Sequence, residues 1–346
     1  MPTEQSAPAR HRAAPAPGRK AWRIVFVVFS LFAVIVIGVA GMTFWNLTSS
    51  FNAVERIPEA FPDDDAARPP ASTGEAATAL NFLLLGSDTR GSTGSIADIS
   101  GQRSDTIVIV HIPADRSTLS VMSIPRDSWL EIPGHGEAKI NAALSYGGVP
   151  LAVQAVEGLI GARIDHVAVV DFAGFKAVTD ALGGVTIDNP IAFDSYHLKG
   201  RVFPAGTQHL DGTEALAFAR ERYAFADGDF QRVRNQQLLI GALLSGLMQK
   251  STLADPVKVG AVIGAVTPHL AIDNTLTTTD LATLGVQLRD VRSSDVTFFT
   301  IPTSGTGTSG DGQSIVNLDW AALPALQAAY QSDSVAAVAP TLQAAG

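Results

Sequence analysis

Between residues 79 and 333 the chain alternates short β-rich runs with stretches of helical period. Asn81–Leu85 is an apolar run closed by Gly86, with the length and composition of a short strand. Thr106–Ile112 and Thr118–Ile124 are two further β-rich runs, and Pro113-Ala114-Asp115-Arg116 between them carries the turn formers of a hairpin. Leu151–Ile160 predicts a helix, His166–Val170 a strand, and Phe175–Leu182 a helix that stops at Gly183-Gly184. Val185–Ile187 follows as a strand. Asp211 and Glu214 have the spacing of a capping box and open another helix. Asp229 opens the next, which runs through the apolar stretch Leu238–Met248, and Val296–Ile301 is a late strand. This mixture, with one antiparallel hairpin, predicts an α/β fold: a single α-β-α layered domain of about 250 residues.

The two ends read differently. Residues 1–23 form a basic tail with Arg10, Arg12, Arg19, Lys20 and Arg23. Residues 24–45, from Ile24 to Trp45, carry no charge, and about 22 such residues suffice to cross a hydrocarbon core about 30 Å thick. Trp22 and Trp45 flank the run as interfacial rings would, and the preceding positive charge orients the tail inward. The expected product is one N-terminal transmembrane helix with the remainder of the chain outside the cytoplasm. A cleaved signal peptide is the alternative, but its apolar region spans only about 7–15 residues and ends at a small-residue site. Residues 46–78, with Pro58, Pro62, Asp63–Asp65 and Pro69-Pro70, read as an extracytoplasmic linker. The Ala-rich residues 334–346 read as a disordered tail, which leaves 79–333 as the folded domain.

Composition narrows the chemistry. With 46% hydrophobic and 16% charged residues the chain can bury a sizeable core. A net charge of −9 counts against a nucleic-acid partner held by bulk charge. The absence of cysteine excludes disulfides, thiolate metal sites and thiol nucleophiles.

Polar residues gather where the predicted strands begin and end. Asp88 and Arg90 follow the first strand, Arg103 and Asp105 precede the hairpin, and Arg126 and Asp127 follow it. A turn centred near Asp115 would set Asp105 opposite Pro125-Arg126, with backbones about 5–6 Å apart. Carboxylates and guanidinium groups would then meet at one end of the sheet; ordinary surface salt bridges are the plainer alternative. Arg220, Arg222, Arg232 and Arg234 form a second cluster. Arg232 and Gln236 share a helix face, and Arg232 lies in the first turn, where a cation opposes the helix dipole. A bound anion would favour both the guanidinium and the helix terminus. The competing reading is a solvated basic face balanced by Glu221, Asp227 and Asp229. His111, His135, His166, His197 and His209 lack metal-ligand spacing, and there is no P-loop or dinucleotide fingerprint. Arginines with carboxylates and no serine–histidine pair suit phosphoryl transfer, with Asp88 and Asp105 as the natural ligands of a Mg²⁺ ion.

These segments resemble the LytR-CpsA-Psr family over roughly Asn81 to Lys250. The matching runs are Asn81–Arg90, Arg103–Thr106, Ser123–Asp127, Lys139–Ala143, Phe172–Phe175, Phe203–Gly212, Ala215–Arg222 and Asp229–Arg232 with Gln236-Gln237. The resemblance implies a mixed central sheet, a single-pass anchor in the cell membrane and an extracytoplasmic catalytic domain. It implies a polyprenyl-pyrophosphate-linked glycan as substrate, its lipid in an apolar tunnel. The glycan phosphate would pass to a peptidoglycan hydroxyl, releasing polyprenyl phosphate. By position, Asp88 and Asp105 match metal-binding carboxylates for Mg²⁺, with Mn²⁺ as the alternative ion. Arg103, Arg126, Arg220, Arg222, Arg232 and Gln236 match groups around the pyrophosphate, and Asp229 a supporting carboxylate. Arg126 would be central to transition-state charge. Asn235 stands where the family often has arginine, with Arg234 one place earlier, so a contact on the helix surface is expected to differ. A non-catalytic binder of polyprenyl phosphate or glycopolymer is the alternative from another class.

Overall fold

The apolar run at Asn81 extends into a strand, Leu80–Ser87, in which Asn81, Leu83, Leu85 and Ser87 are buried and the intervening residues half-buried. Each face of this strand therefore meets something different. The structure, a computed structural model, describes residues 49, 51–87, 104–253 and 255–344. The chain divides into two units, Met1–Asn46 and Leu47–Gly346, and the described residues all belong to the second. The expected membrane span 24–45 lies outside them.

A mixed seven-stranded sheet forms the centre of this unit. Its strands are β1 (Glu55–Ile57), β2 (Leu80–Ser87), β3 (Ser104–Ile112), β4 (Leu119–Ile124), β5 (His166–Asp171), β6 (Leu270–Asp273) and β7 (Val296–Thr300), in the order β1-β6-β5-β2-β3-β4-β7. β2, β3 and β4 run antiparallel in sequence, β5 lies parallel to β2, and β7 parallel to β4. The expected hairpin is β3–β4, with Ile107 opposite Ile124 and Ile109 opposite Met122. The helices that matter here are α1 (Asn141–Ile160), α2 (Phe172–Ala181), α3 (Gly212–Arg220), α4 (Asp229–Leu247), α5 (Leu323–Gln331) and α6 (Val335–Ala344).

One face of the sheet, through Leu83, Leu85, Ile107, Ile109 and Met122, packs on α1, α5 and α6 as the main core. α1 begins ten residues before the predicted Leu151 and is kinked where Gly148 takes φ +65°, a conformation that glycine adopts without strain. It is long and apolar enough to cross a membrane by composition alone, but its residues are built into this core. A separate cluster is closed by a ribbon of Val185–Asn189 against Gly206–Leu210, with Phe193, Phe203 and Phe218 at its centre and Leu239 of α4 packed on it.

Both segments expected to be unstructured contribute to the domain. Within 46–78, β1 pairs in parallel with β6 at the sheet edge, and Phe51, Val54, Ile57 and Ala60 are buried. Arg68 then reaches Glu157 of α1, a carboxylate with 0% exposure, with contacts of 2.5–3.1 Å. A three-residue strand is too short to show a period, and the prolines around it imitate a linker. Within 334–346, α6 buries Val335 and Ala339 completely. Small residues carry little pattern, and neighbouring elements supply the packing that holds them. Asp333, just before α6, fastens this end to the sheet: its carboxylate meets Nε2 of buried His111 at 2.9 Å and accepts from the Ala114 amide at 2.9 Å.

Two stability predictions follow from these ties. Arg68→Ala leaves the Glu157 charge buried and unpaired, a defect of about 3–5 kcal/mol, so chemical denaturation should show a loss of that order. Replacing both residues by apolar ones of similar volume should recover most of it. Asp273 of β6 accepts from the amides of Val167, Thr275 and Leu276 at 3.0, 2.8 and 3.0 Å. Burial alone would raise its carboxyl, but His166, the Thr275 hydroxyl and the Val167 amide outweigh that and hold it at about 2, below its ordinary 3.8. The stability it contributes is therefore complete above its unfolded value and disappears as pH falls toward 2. Asp273→Asn should flatten that part of the stability–pH curve.

Candidate active site

The β3–β4 register, continued two residues beyond Ile107 and Ile124, sets Asp105 opposite Arg126. The Arg126 guanidinium donates from Nη1 to the Asp105 carboxylate. On its other side Arg126 Nε lies 3.6 Å from Asp127, and Lys139 Nζ lies 3.2 Å from the same carboxylate. β2 ends beside them. Gly86 lies so close to β3 that a Cβ there would stand 2.9 Å from the Thr106 Cβ, which explains the glycine.

α3 brings the next cation. Asp211 caps it by accepting from the amides of Thr213 and Glu214, each at 2.9 Å. Glu214 does not reach back as a capping box requires; it pairs instead with Arg201 at 2.9 Å. α3 ends at Arg220, whose guanidinium lies 4.6 Å from the ring centre of Phe172. Arg222 follows, and Asp229 at the start of α4 holds both Arg222 and Arg232, at 3.4 and 3.0 Å.

The two groups of charges touch. The carboxyls of Asp127 and Asp229 share a hydrogen bond. Burial, then this contact, raises the Asp229 carboxyl above its usual range. Burial acts upward on Asp127 too, but the Asp229 hydrogen bond, Arg126 and Lys139 outweigh it and hold it low. Burial and the neighbouring Arg126 charge lower Arg232, whose side chain is only 6% exposed. Among the described residues, Nε of Arg126 and Nε of Arg232 are buried without a hydrogen-bond partner. Such orphaned charged donors are costly unless an acceptor arrives.

Behind these groups lies a cavity of about 1050 Å³ between the second face of the sheet and helices α2, α3 and α4. Leu84 and Val108 of the sheet, Phe175 and Val178 of α2, and Leu243 and Leu247 of α4 face it. The apolar residues of α4 from Ile240 onward are mostly half-buried, because they border this cavity instead of packed core. Eleven residues separate Gln236 at the charged mouth from Leu247, so the wall is roughly 16 Å long at about 1.5 Å per residue. An apolar slot ending in converging guanidinium groups at a helix N-terminus suits an amphiphile with a doubly anionic head.

Asp105, Arg126, Arg220, Arg222, Arg232 and Gln236 thus all line one cavity, and Asp229 stands behind two of the arginines. Asp88 and Arg103 lie outside the described residues. Arg234 turns away and pairs with Asp227. Position 235 is not on the helix surface as expected: Asn235 is fully buried and donates to the Phe218 carbonyl at 3.2 Å, tying α4 to α3. Asp127 and Lys139 were in view within the Ser123–Asp127 and Lys139–Ala143 runs, but nothing in spacing alone joins them. His197 and Tyr223 at the mouth had no sequence signal.

The LytR_cpsA_psr family model matches residues 48–332. The chain is 32% identical over 282 residues to the cell wall biosynthesis protein LcpA of Corynebacterium glutamicum, across 70% of this chain and 53% of that protein. It therefore spans about half the length of that relative. It is also 32% identical over 227 residues to the polyisoprenyl-teichoic acid–peptidoglycan teichoic acid transferase TagU of Bacillus anthracis, across 65% of this chain and 71% of that one. Among solved structures, B. subtilis TagV is 27% identical with a TM-score of 0.63, covering 74% of this chain and 97% of that one. TagT bound to LIIa-WTA is 26% identical with a TM-score of 0.60, covering 77% and 96%. By its mixed α/β architecture and by a sequence match over most of its length, the chain belongs to the LytR_cpsA_psr family.

Proposed function

We propose that this protein transfers a glycopolymer phosphate from a polyprenyl-pyrophosphate carrier to a cell-wall hydroxyl, with polyprenyl phosphate as the second product. The observation that carries this reading is the union of one long apolar cavity with one arginine-lined mouth. The relatives named as a cell wall biosynthesis protein and a teichoic acid transferase support the same class. The lipid lies along α4, and the diphosphate sits among Arg126, Arg220, Arg222 and Arg232, where Gln236 adds an amide. The acceptor hydroxyl attacks the glycan-side phosphorus and forms the new P–O bond, and its proton ends on the departing lipid phosphate. The anhydride P–O bond breaks, and the lipid-side phosphate leaves with the electron pair. The arginines bind the non-bridging and leaving oxygens while charge builds there, and Arg126, fixed between Asp105 and Asp127, is central.

The donor chemistry of the mouth also fits a Mg²⁺ or Mn²⁺ ion. Asp105 offers a hard, partly exposed carboxylate, and Mg²⁺ is commonly held by one or two carboxylates plus substrate phosphates. Asp88 would be the second ligand. Among the described residues no three carboxylate or imidazole groups form a metal cluster, so substrate oxygens and water would complete the shell. When bound, the ion would neutralise diphosphate charge. The span 24–45 would anchor the domain outside the cytoplasmic membrane, beside its lipid substrate.

Three outcomes test this reading. Full-length protein in micelles, mixed with a glycosylated polyprenyl pyrophosphate, Mg²⁺ and peptidoglycan, should release polyprenyl monophosphate detectable by mass spectrometry; binding without release would leave only a lipid-binding module. Arg126→Ala should lower turnover by about 100-fold or more while the melting curve keeps its shape. Leu243→Trp should narrow the cavity, raising KM for a long polyprenyl chain at least tenfold while a farnesyl analogue is little affected.

A further inference from the structure

The mouth carries an exposed aromatic cluster that the transfer chemistry leaves unexplained. Tyr196 and Tyr223 are 66% and 58% exposed. Their ring centres are 4.5 Å apart with planes inclined by 48°. The His197 ring stands edge-on to Tyr196 at 5.6 Å, and His197 and Tyr223 border the cavity.

The backbone beneath these rings is built with care. Glu221 has 0% exposure, and its carboxylate accepts the Tyr196 amide at 2.7 Å and the amides of Arg222 and Tyr223 at 3.1 Å each. The His197 Nε2 meets the Arg220 carbonyl at 3.0 Å. Arg222 donates to the Tyr223 hydroxyl at 2.9 Å, and its guanidinium lies 4.7 Å from the centre of that ring. One buried carboxylate thus fixes two separate tyrosine-bearing segments to each other and to the arginines of the mouth. Groups held this way lose little freedom when a ligand arrives.

We propose that Tyr196, Tyr223 and His197 form a subsite for the sugar ring next to the pyrophosphate, with Glu221 as its positioning residue. The proposal rests on the transferase reading above and deepens it. With the lipid in the cavity and the diphosphate among the arginines, the glycan leaves by the solvent side of the mouth, where these rings stand. A pyranose presents a face of C–H bonds that packs on an aromatic face, while its edge hydroxyls remain in water. Half-exposed rings with polar tips meet both needs. The tie from Tyr223 to Arg222 sets the sugar in register with the phosphorus. A seat in the membrane interface is the rival, since tyrosine favours that zone. It accounts for the exposure but not for rings locked to phosphate-binding arginines.

The test compares two probes on full-length protein in micelles: geranylgeranyl pyrophosphate, and the same lipid pyrophosphate carrying one N-acetylglucosamine. Wild type should bind the sugar-bearing lipid more tightly. Tyr196→Ala should weaken that probe roughly tenfold, about 1.4 kcal/mol, and leave the bare lipid unchanged. Tyr196→Phe should keep the preference, and Glu221→Gln should weaken the sugar-bearing lipid more than the bare one, since the same carboxylate also holds the Arg222 amide. An equal loss for both probes would make the rings part of the arginine clamp and overturn the subsite. So would an unchanged preference, or an unchanged preference accompanied by weaker binding to phosphatidylglycerol vesicles, the signature of a membrane seat. Failure of wild type to bind either lipid would instead remove the transferase reading, and the sugar subsite with it.

Discussion

The pairing of β3 with β4 constrains both the interior and the chemistry. Their register places Ile107 and Ile109 on the core face and, two residues further, joins Asp105 to Arg126. Because side chains alternate along a strand, a slip of one residue would turn the buried isoleucines toward the cavity and part the two charges. The same alternation leaves Leu84 and Val108 facing the slot while Leu83 and Ile109 face α1. A single sheet therefore separates a packed side from a hollow side.

Charge at the mouth is only partly balanced before any ligand arrives. Arg126, Arg222, Arg232 and Lys139 crowd together only because Asp105, Asp127 and Asp229 stand between them. The balance is strained in a specific way: one carboxyl is raised, one guanidinium is lowered, and two buried Nε donors lack acceptors. On the proposed function, a diphosphate would supply anionic oxygens where they are missing. Prior placement of the donors, at the expense of folding stability, is how such sites favour charge that develops during reaction.

Much of this was legible in the sequence. The hairpin, its centre near Asp115, and the meeting of Asp105 with Arg126 all followed from strand period and turn chemistry. The pairing of Arg232 with Gln236 on one cavity followed from helical spacing. Other features were hidden for physical reasons. β1 was masked by prolines and by its length of three residues, and the Ala-rich α6 by side chains too small to mark a face. The Asp127–Asp229 contact joins elements about a hundred positions apart, which no local pattern encodes. The apolar run Leu238–Met248 marked α4 as a helix but not what it faces, because apolar residues around a cavity and apolar residues in a core look alike until packing is known.

That last ambiguity has a consequence for how α4 works. One rod carries Arg232 and Gln236 at its first turns and Leu243 and Leu247 near its far end. If the proposed lipid carrier enters the slot, its chain would complete the interior that α4 lacks, while its head would meet the same rod's cationic end. Tail and head would then be read by one rigid body, so that solvent exclusion at the far end and alignment of the proposed anhydride at the near end would become a single event.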